Sequence, residues 1–300
     1  MKIIVTGSLG NISKPLTQEL VKNGHQVTVV SSKPEKEKAI QALGATAAIG
    51  SLEDAGFLVT TFAGADVVYS MVPPANYFNH SLDFLEYYRS IGSNYAYAIG
   101  QAKVKRVINL SSIGAHLDKE NGILRGANRV ENILNELPAD VVITHIRPTE
   151  FYYNLLPHAR SAKNNGYIAF NIGNEVVNSW VSPVDIAAAI AEEISVAPAT
   201  ERNVRYVASE ELTYDELVAV LGIAVGNPEL KWKQLTDEQM ENGLIAKGMN
   251  PKIANQMAEM YAAINSGLLY EDYNSNKPKV MGNVKVADFS KDFAQAYNEL

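Results

Sequence analysis

The sequence predicts an α/β protein built on a doubly wound parallel sheet, with a smaller, mostly α-helical region formed by its C-terminal half. Three observations predict it. Short apolar, β-branched runs alternate with stretches of helical period as far as residue 146. These strand-like runs are apolar on both faces, as a sheet covered by helices on both sides requires. The rhythm then changes after Arg147-Pro148. Alternation of this kind implies parallel strands joined by crossover helices.

In chain order, strands are expected at Lys2–Thr6, His25–Val30, Ala45–Ile49, Asp66–Met71, Lys105–Leu110 and Asp140–Ile146. Helices are expected among them at Asn11–Asn23, Pro34–Leu43, His80–Ala102 and Gly122–Leu137. Later strands (Gly166–Phe170, Val204–Ala208, Lys231–Leu235) fall among helices at Pro183–Val196, Thr213–Leu221, Thr236–Lys247 and Pro251–Gly267. Residues 1–150 are expected to form the nucleotide-binding core, and residues 151–300 a smaller region interleaved with its last elements. Asp272–Lys279 (DYNSNKPK) has the composition of a loop.

The first strand runs straight into Thr6-Gly7-Ser8-Leu9-Gly10-Asn11-Ile12-Ser13 and then a helix, the context a glycine-rich dinucleotide fingerprint requires. Gly7 permits the tight turn, and Gly10 lets backbone N–H groups approach a pyrophosphate at the positive end of the helix. The third fingerprint glycine, which serves close helix–strand packing, is replaced by the small Ser13. Thr6, Gly7, Leu9, Gly10, Asn11 and Ile12 are thus the expected pyrophosphate contacts of a Rossmann-type site. An NAD-selective site carries an acidic residue at the end of the second strand for the ribose 2′-hydroxyl. Here that strand ends Val30-Ser31-Ser32-Lys33, two hydroxyls and a cation, which suits the 2′-phosphate of NADP(H). Gly50, after the third strand, falls where the adenine would lie.

Composition narrows the remaining chemistry. With a net charge of −7, the chain has no basic footprint for nucleic acid or an anionic membrane, so a small-molecule substrate is the expected partner. The absence of cysteine excludes disulfides, thiolate nucleophiles and Cys-based metal sites. His25, His80, His116, His145 and His158 are scattered, with no pair at metal-ligand spacing, and no metal is expected. The apolar start MKIIVTG breaks at Gly7, too early for a signal-peptide core, and no run reaches the roughly 18 apolar residues that span a bilayer. A cytoplasmic location is the expectation.

The motifs TGSLGNIS (Thr6–Ser13), MVPP (Met71–Pro74), VKRVINLSSIGA (Val104–Ala115), IRPTEFYYNLL (Ile146–Leu156), WVSPVDIAAAI (Trp180–Ile190) and GMNPKIANQMAEMYAAINSG (Gly248–Gly267) occur in order along the chain. Together they resemble the NmrA-like group of atypical short-chain dehydrogenase/reductases, nearest its bacterial quinone-reductase branch. The resemblance implies NADPH binding, reduction of small quinone-like acceptors, and an apolar wall of Met71, Val72 and Pro73 beside the nicotinamide. The wider group also contains redox sensors that bind the cofactor and act through a protein partner.

One departure from the superfamily pattern matters. Aligning Glu131 with the glutamate that commonly follows the Tyr-x-x-x-Lys lysine puts Ile123 and Ala127 at the tyrosine and lysine positions, so the proton relay is absent. General acid catalysis is worth roughly 10²–10⁴-fold, and its loss would disable reduction of a plain ketone. Hydride addition to a quinone instead leaves a phenolate-like anion, whose conjugate acid has a pKa near the tyrosine value of about 10. Water or one hydroxyl can then complete protonation.

Ser111 and Ser112 end the fifth strand, at the edge where open α/β sheets bind ligands, either to hydrogen-bond a substrate oxygen or to cap the loop. Thr149-Glu150 replaces the Gly–apolar pair that the family usually carries, and Glu150 either has a raised pKa and handles protons or points to solvent or an arginine. Tyr152, Tyr153 and Asn154 follow at the expected pocket mouth, where a tyrosine either stacks on a flat acceptor or packs in the core, and His116 lies just past the serines. Two readings stand: an NADPH-dependent oxidoreductase passing hydride to a conjugated acceptor, and a non-catalytic NADP(H) sensor. Nucleotide-sugar epimerisation would need the absent tyrosine.

Overall fold

The computed structural model describes residues 1–198 and 200–300. Its strands are β1 (Lys2–Val5), β2 (Gln26–Ser31), β3 (Thr46–Ile49), β4 (Val67–Ser70), β5 (Arg106–Leu110), β6 (Val142–Pro148), β7 (Glu150–Phe151), β8 (Tyr167–Phe170), β9 (Val177–Val181), β10 (Arg202–Val207), β11 (Glu210–Thr213) and β12 (Lys231–Gln234). Seven of them form one parallel sheet in the order β3-β2-β1-β4-β5-β6-β10.

The helices are α1 (Ser13–Lys22), α2 (Glu37–Ala42), α3 (Ala55–Phe62), α4 (Phe84–Ala102), α5 (Arg125–Asn135), α6 (Ala159–Asn165), α7 (Pro183–Ser195), α8 (Tyr214–Ala224), α9 (Asp237–Ala246), α10 (Pro251–Asn265), α11 (Glu271–Ser275) and α12 (Val286–Asn298). The period-2 alternation of β1 divides the core. Ile3 and Val5 face Leu16 and Leu20 of α1, Ile40 of α2 and Ile186 and Ile190 of α7. Ile4 faces the opposite layer, with Phe62 of α3, Ile91 and Tyr95 of α4, and Val130 and Leu134 of α5. The expected doubly wound α/β fold is therefore what forms.

The expected boundaries shift where a side chain caps a helix. Asp83 Oδ1 accepts the Glu86 N–H at 3.0 Å, so α4 begins at Phe84 rather than His80. The expected loop Asp272–Lys279 is helical over its first four residues, in α11. The reason is anchorage: the Asp272 carboxylate accepts hydrogen bonds from Arg147 Nη1 at 3.0 Å and the Tyr206 hydroxyl at 2.5 Å, and Tyr273 is fully buried.

A second core, around Trp180, Tyr214, Trp232, Tyr261, Phe289 and Phe293, underlies the C-terminal region, which adds a three-stranded sheet (β11-β9-β7) and a two-stranded one (β12-β8). This region lies against the carboxyl edge of the large sheet through α10. Gly122 has φ +57°, and a Cβ on it would stand 1.9 Å from Gln256 O and 2.7 Å from Met260 N. The backbone of α10 thus lies directly on the turn that leads into α5. Gly122→Ala should force these elements apart and destabilise the protein by about 1–3 kcal/mol, the usual cost of overpacking plus left-handed strain. Thermal unfolding checks this, and an unchanged midpoint would show that α10 is free to move away.

Candidate functional site

The strand order reverses direction at β1, between β2 and β4, and the glycine-rich turn sits at the carboxyl end of β1. Thr6 is fully buried there and joins the two strand ends: its N–H donates to Tyr69 O at 3.1 Å, and its Oγ1 accepts the Met71 N–H at 3.0 Å. Gly7 has φ +87°, and a Cβ on it would meet Ser13 Oγ at 2.6 Å and Met71 Sδ at 3.0 Å. Only glycine fits. Ser13 does more than the glycine it replaces, since its buried hydroxyl donates to Thr6 O at 2.8 Å and ties α1 to β1.

A Cβ on Gly10 would meet only Gly7 O, at 3.1 Å, so that face of the turn is otherwise open. Helix α1 starts with no side-chain cap and no acidic residue in its first turn, which leaves its positive end to an anion. Leu9 packs on the β1–α1 core, Ile12 is buried, and Asn11 is exposed. This is a cradle that fits a pyrophosphate.

Ser8, inside the fingerprint but outside its glycine pattern, also shapes the site. It adopts φ +55°, donates its N–H to Val30 O at 3.0 Å, and donates its hydroxyl to Ser31 Oγ at 2.9 Å. Ser31 also accepts the Lys33 N–H at 3.2 Å and is buried, so it shapes the turn, whereas Ser32 and Lys33 stand in solvent. Gly50 donates its N–H to Ser31 O at 3.0 Å, and a Cβ on it would strike the Phe57 ring at 2.6 Å.

On the other side of β1, Met71, Val72 and Pro73 leave β4 partly buried. The Tyr95 hydroxyl holds Met71 O at 2.8 Å and the Tyr87 hydroxyl holds Pro73 O at 3.2 Å. Phe151, Leu9 and Met71 pack against the same core. At the end of β5 the two serines separate in role. The Ser111 hydroxyl donates to Glu131 Oε1 at 2.5 Å, inside a buried ion pair in which Arg147 Nε and Nη2 reach Glu131 at 2.9 and 2.6 Å. Ser112 is partly buried. Ile123, at the relay tyrosine position, packs beside Phe84 and Met249.

Glu150 heads β7, where its Oε2 accepts from Asn178 Nδ2 at 2.7 Å and the Tyr214 hydroxyl at 3.3 Å. Burial pushes its carboxyl up to about 7, against the pull of those two hydrogen bonds. Tyr152 is a core residue: its ring stacks on Trp180 at 5.9 Å and Phe289 at 5.4 Å, and its hydroxyl donates to Glu210. Tyr153 is partly buried, stacked on Phe151 at 5.1 Å, and burial raises its phenol to about 12. Asn154 is exposed. Both ring nitrogens of His116 are buried without a partner among the described residues, and burial lowers its pKa.

The NmrA-like family model matches residues 1–294. The chain belongs to the NmrA-like family. This NmrA-like protein is similar in fold to the triphenylmethane reductase of Citrobacter sp., with a TM-score of 0.81 at 18% identity over 98% of this chain and 100% of that one. It is equally similar to the NADPH-dependent quinone oxidoreductase of Escherichia coli in complex with NADPH, with a TM-score of 0.81 at 20% identity over 97% and 99%. A nucleoside-diphosphate-sugar epimerase from Staphylococcus aureus follows at a TM-score of 0.76 and 15% identity over 97% and 100%. No curated protein sequence matches significantly. No helix among the described residues of the NmrA-like chain is long and apolar enough to cross a membrane.

The Glu150 environment has a measurable consequence. With its pKa raised to about 7 in the folded state, the stability that Glu150 contributes is fully present below its unfolded value and is lost as pH rises through 7. Between about pH 5 and 8 the wild type should therefore lose stability relative to Glu150→Gln, by on the order of 1–3 kcal/mol. Denaturant unfolding across that range measures it. Parallel curves would mean that the carboxyl ionises in the ordinary range.

Proposed function

We propose that this protein is an NADP(H)-dependent oxidoreductase whose acceptor is a quinone or a similar conjugated small molecule. The observation that carries the reading is the glycine cradle. Gly7 and Gly10 stand at the uncapped start of α1, at the point where strand order reverses, with no carboxylate at the end of β2. NADPH, when bound, supplies a hydride.

The chain's residues supply position and environment. The α1 amides and the open face of Gly10 receive the pyrophosphate, and Lys33 with Ser32 meets the 2′-phosphate. Ser31, held by Ser8, fixes the turn that presents them. Met71, Val72 and Pro73 form the apolar wall at the nicotinamide end, backed by the Tyr95 and Tyr87 hydroxyls on their carbonyls. Apolar surroundings exclude water, and orientation does the rest. Ser111 is committed to Glu131, so Ser112 is the strand-end hydroxyl that meets the acceptor oxygen. Ile123 and Ala127 offer no proton, which restricts the acceptor to one whose reduced anion is weakly basic. The quinone reductase among the neighbours of this fold supports that reading.

Fluorescence titration should show NADPH binding more tightly than NADH. Lys33→Ala should weaken NADPH about five- to tenfold, the worth of one charge-assisted contact near the surface, and leave NADH unchanged. NADPH should be oxidised by members of a benzoquinone and naphthoquinone panel, followed by absorbance. Equal affinity for the two cofactors would refute the 2′-phosphate site, and binding without turnover would refute the enzyme.

A further inference from the structure

The missing relay leaves a question of where a second hydroxyl for the acceptor comes from, and helix α4 holds an answer. Between Ile123 and Ala127 lies Gly126, a buried glycine inside α5, where a Cβ would stand 2.8 Å from the Tyr88 ring and 3.1 Å from the Phe84 ring. Glycine inside a helix costs about 1 kcal/mol relative to alanine, so it calls for a packing reason. Here the reason is that α4 lays an aromatic ring directly on the α5 backbone.

Tyr88 is on the second turn of α4, and both α4 and α5 begin at the carboxyl edge of the sheet, where the candidate site lies. Its ring is 4.7 Å from Phe84 and 5.9 Å from Tyr87, and Phe84 is in turn 6.0 Å from Tyr77, which belongs to the segment that follows Met71–Pro74. Tyr77, Tyr88 and Ile123 pack against one cluster, with Phe84, Met249 and Ile253. The neighbouring Tyr87 spends its hydroxyl on Pro73 O, but Tyr88 has no hydrogen-bond partner among the described residues.

We propose that Tyr88 replaces the absent relay tyrosine, reaching over Gly126 from α4 to donate a hydrogen bond to the acceptor oxygen, opposite Ser112. This rests on the oxidoreductase reading above. A proton and two electrons pass together as hydride from NADPH to the acceptor, NADP⁺ is the oxidised product, and the acceptor becomes a phenolate-like anion that water protonates. Burial holds the Tyr88 phenol above the ordinary phenol value, so it keeps its own proton and stabilises the anion without ionising. The role differs from that of a Tyr-x-x-x-Lys acid: no lysine is needed, because no proton leaves the tyrosine.

Tyr88→Phe keeps the ring on Gly126 and removes only the hydroxyl. The probe is p-nitrophenol, titrated into the protein with and without NADP⁺ and followed by the phenolate absorbance, so that the readout is independent of turnover. The wild type should bind the phenolate form and lower the apparent pKa of the bound phenol. Tyr88→Phe should weaken that binding about tenfold, as expected for a hydrogen bond to an anion, and abolish the shift, with the melting midpoint and NADP⁺ affinity unchanged. With a naphthoquinone acceptor, kcat should fall by a similar factor. Equal phenolate affinity in wild type and variant, or no binding to the wild type, overturns the proposal. Normal phenolate binding and a Tyr88 effect in a protein that reduces no quinone would support the donor and refute the oxidoreductase reading instead.

Discussion

Strand β1 sits between β2 and β4, and the chain leaves it for α1 on one face of the sheet, whereas α4, which follows β4, packs on the other. Helices that diverge in this way leave a crevice at the carboxyl end of β1. The features of the glycine-rich turn follow from that geometry. The chain must turn from strand to helix in the space shared by Ser13 and Met71, so Gly7 can carry no Cβ. The β1 and β4 ends must be held together, which Thr6 does through Met71 N. The positive end of α1 is aimed into the opening with no side chain to neutralise it.

A second constraint ties the C-terminal region to the large sheet. Arg147 on β6 is buried, bonded twice to Glu131 on α5, and reaches Asp272 on α11 and the Tyr206 hydroxyl on β10. A buried ion pair adds little net stability over an apolar replacement, but losing one partner costs about 3–5 kcal/mol because the other charge is stranded. The network therefore acts as a clamp that joins the sheet, the α5 layer and α11 in one arrangement. It also engages Ser111, by sequence the equal of Ser112, through Glu131.

Much of this was legible in the sequence, because the parts that depend on local pattern are written there. The β1–turn–α1 fingerprint, the strand rhythm and the carboxylate missing after Val30 each reflect a local rule. Strands β7, β9 and β11 were not expected, and their residues show why: Asn178 and Ser179 are polar yet buried, satisfied by Glu150, Tyr270 and Tyr273 from distant segments. A buried polar network reads as a loop until its partners are known. The same limit hid the inward turn of Ser31, and it left two alternatives open: whether Ser111 meets a substrate or a protein group, and whether Tyr152 stacks on an acceptor or packs in the core. Gly126 and Gly122 carried a signal, as glycines in a helical stretch, but what approaches them comes from α4 and α10.

Hydrogen exchange with and without NADPH, resolved to peptides, tests the cofactor site most directly. The Thr6, Ser8, Gly10 and Lys14 amides are bonded to backbone carbonyls, whereas the Leu9, Asn11, Ile12 and Ser13 amides have no backbone acceptor among the described residues and should gain protection when the pyrophosphate arrives. Protection is expected in peptides spanning Thr6–Lys14, Ser31–Lys33 and Met71–Pro73, larger with NADPH than with NADH at equal concentration. Protection absent from Thr6–Lys14 at saturating NADPH, or confined to other segments, would contradict the cofactor site.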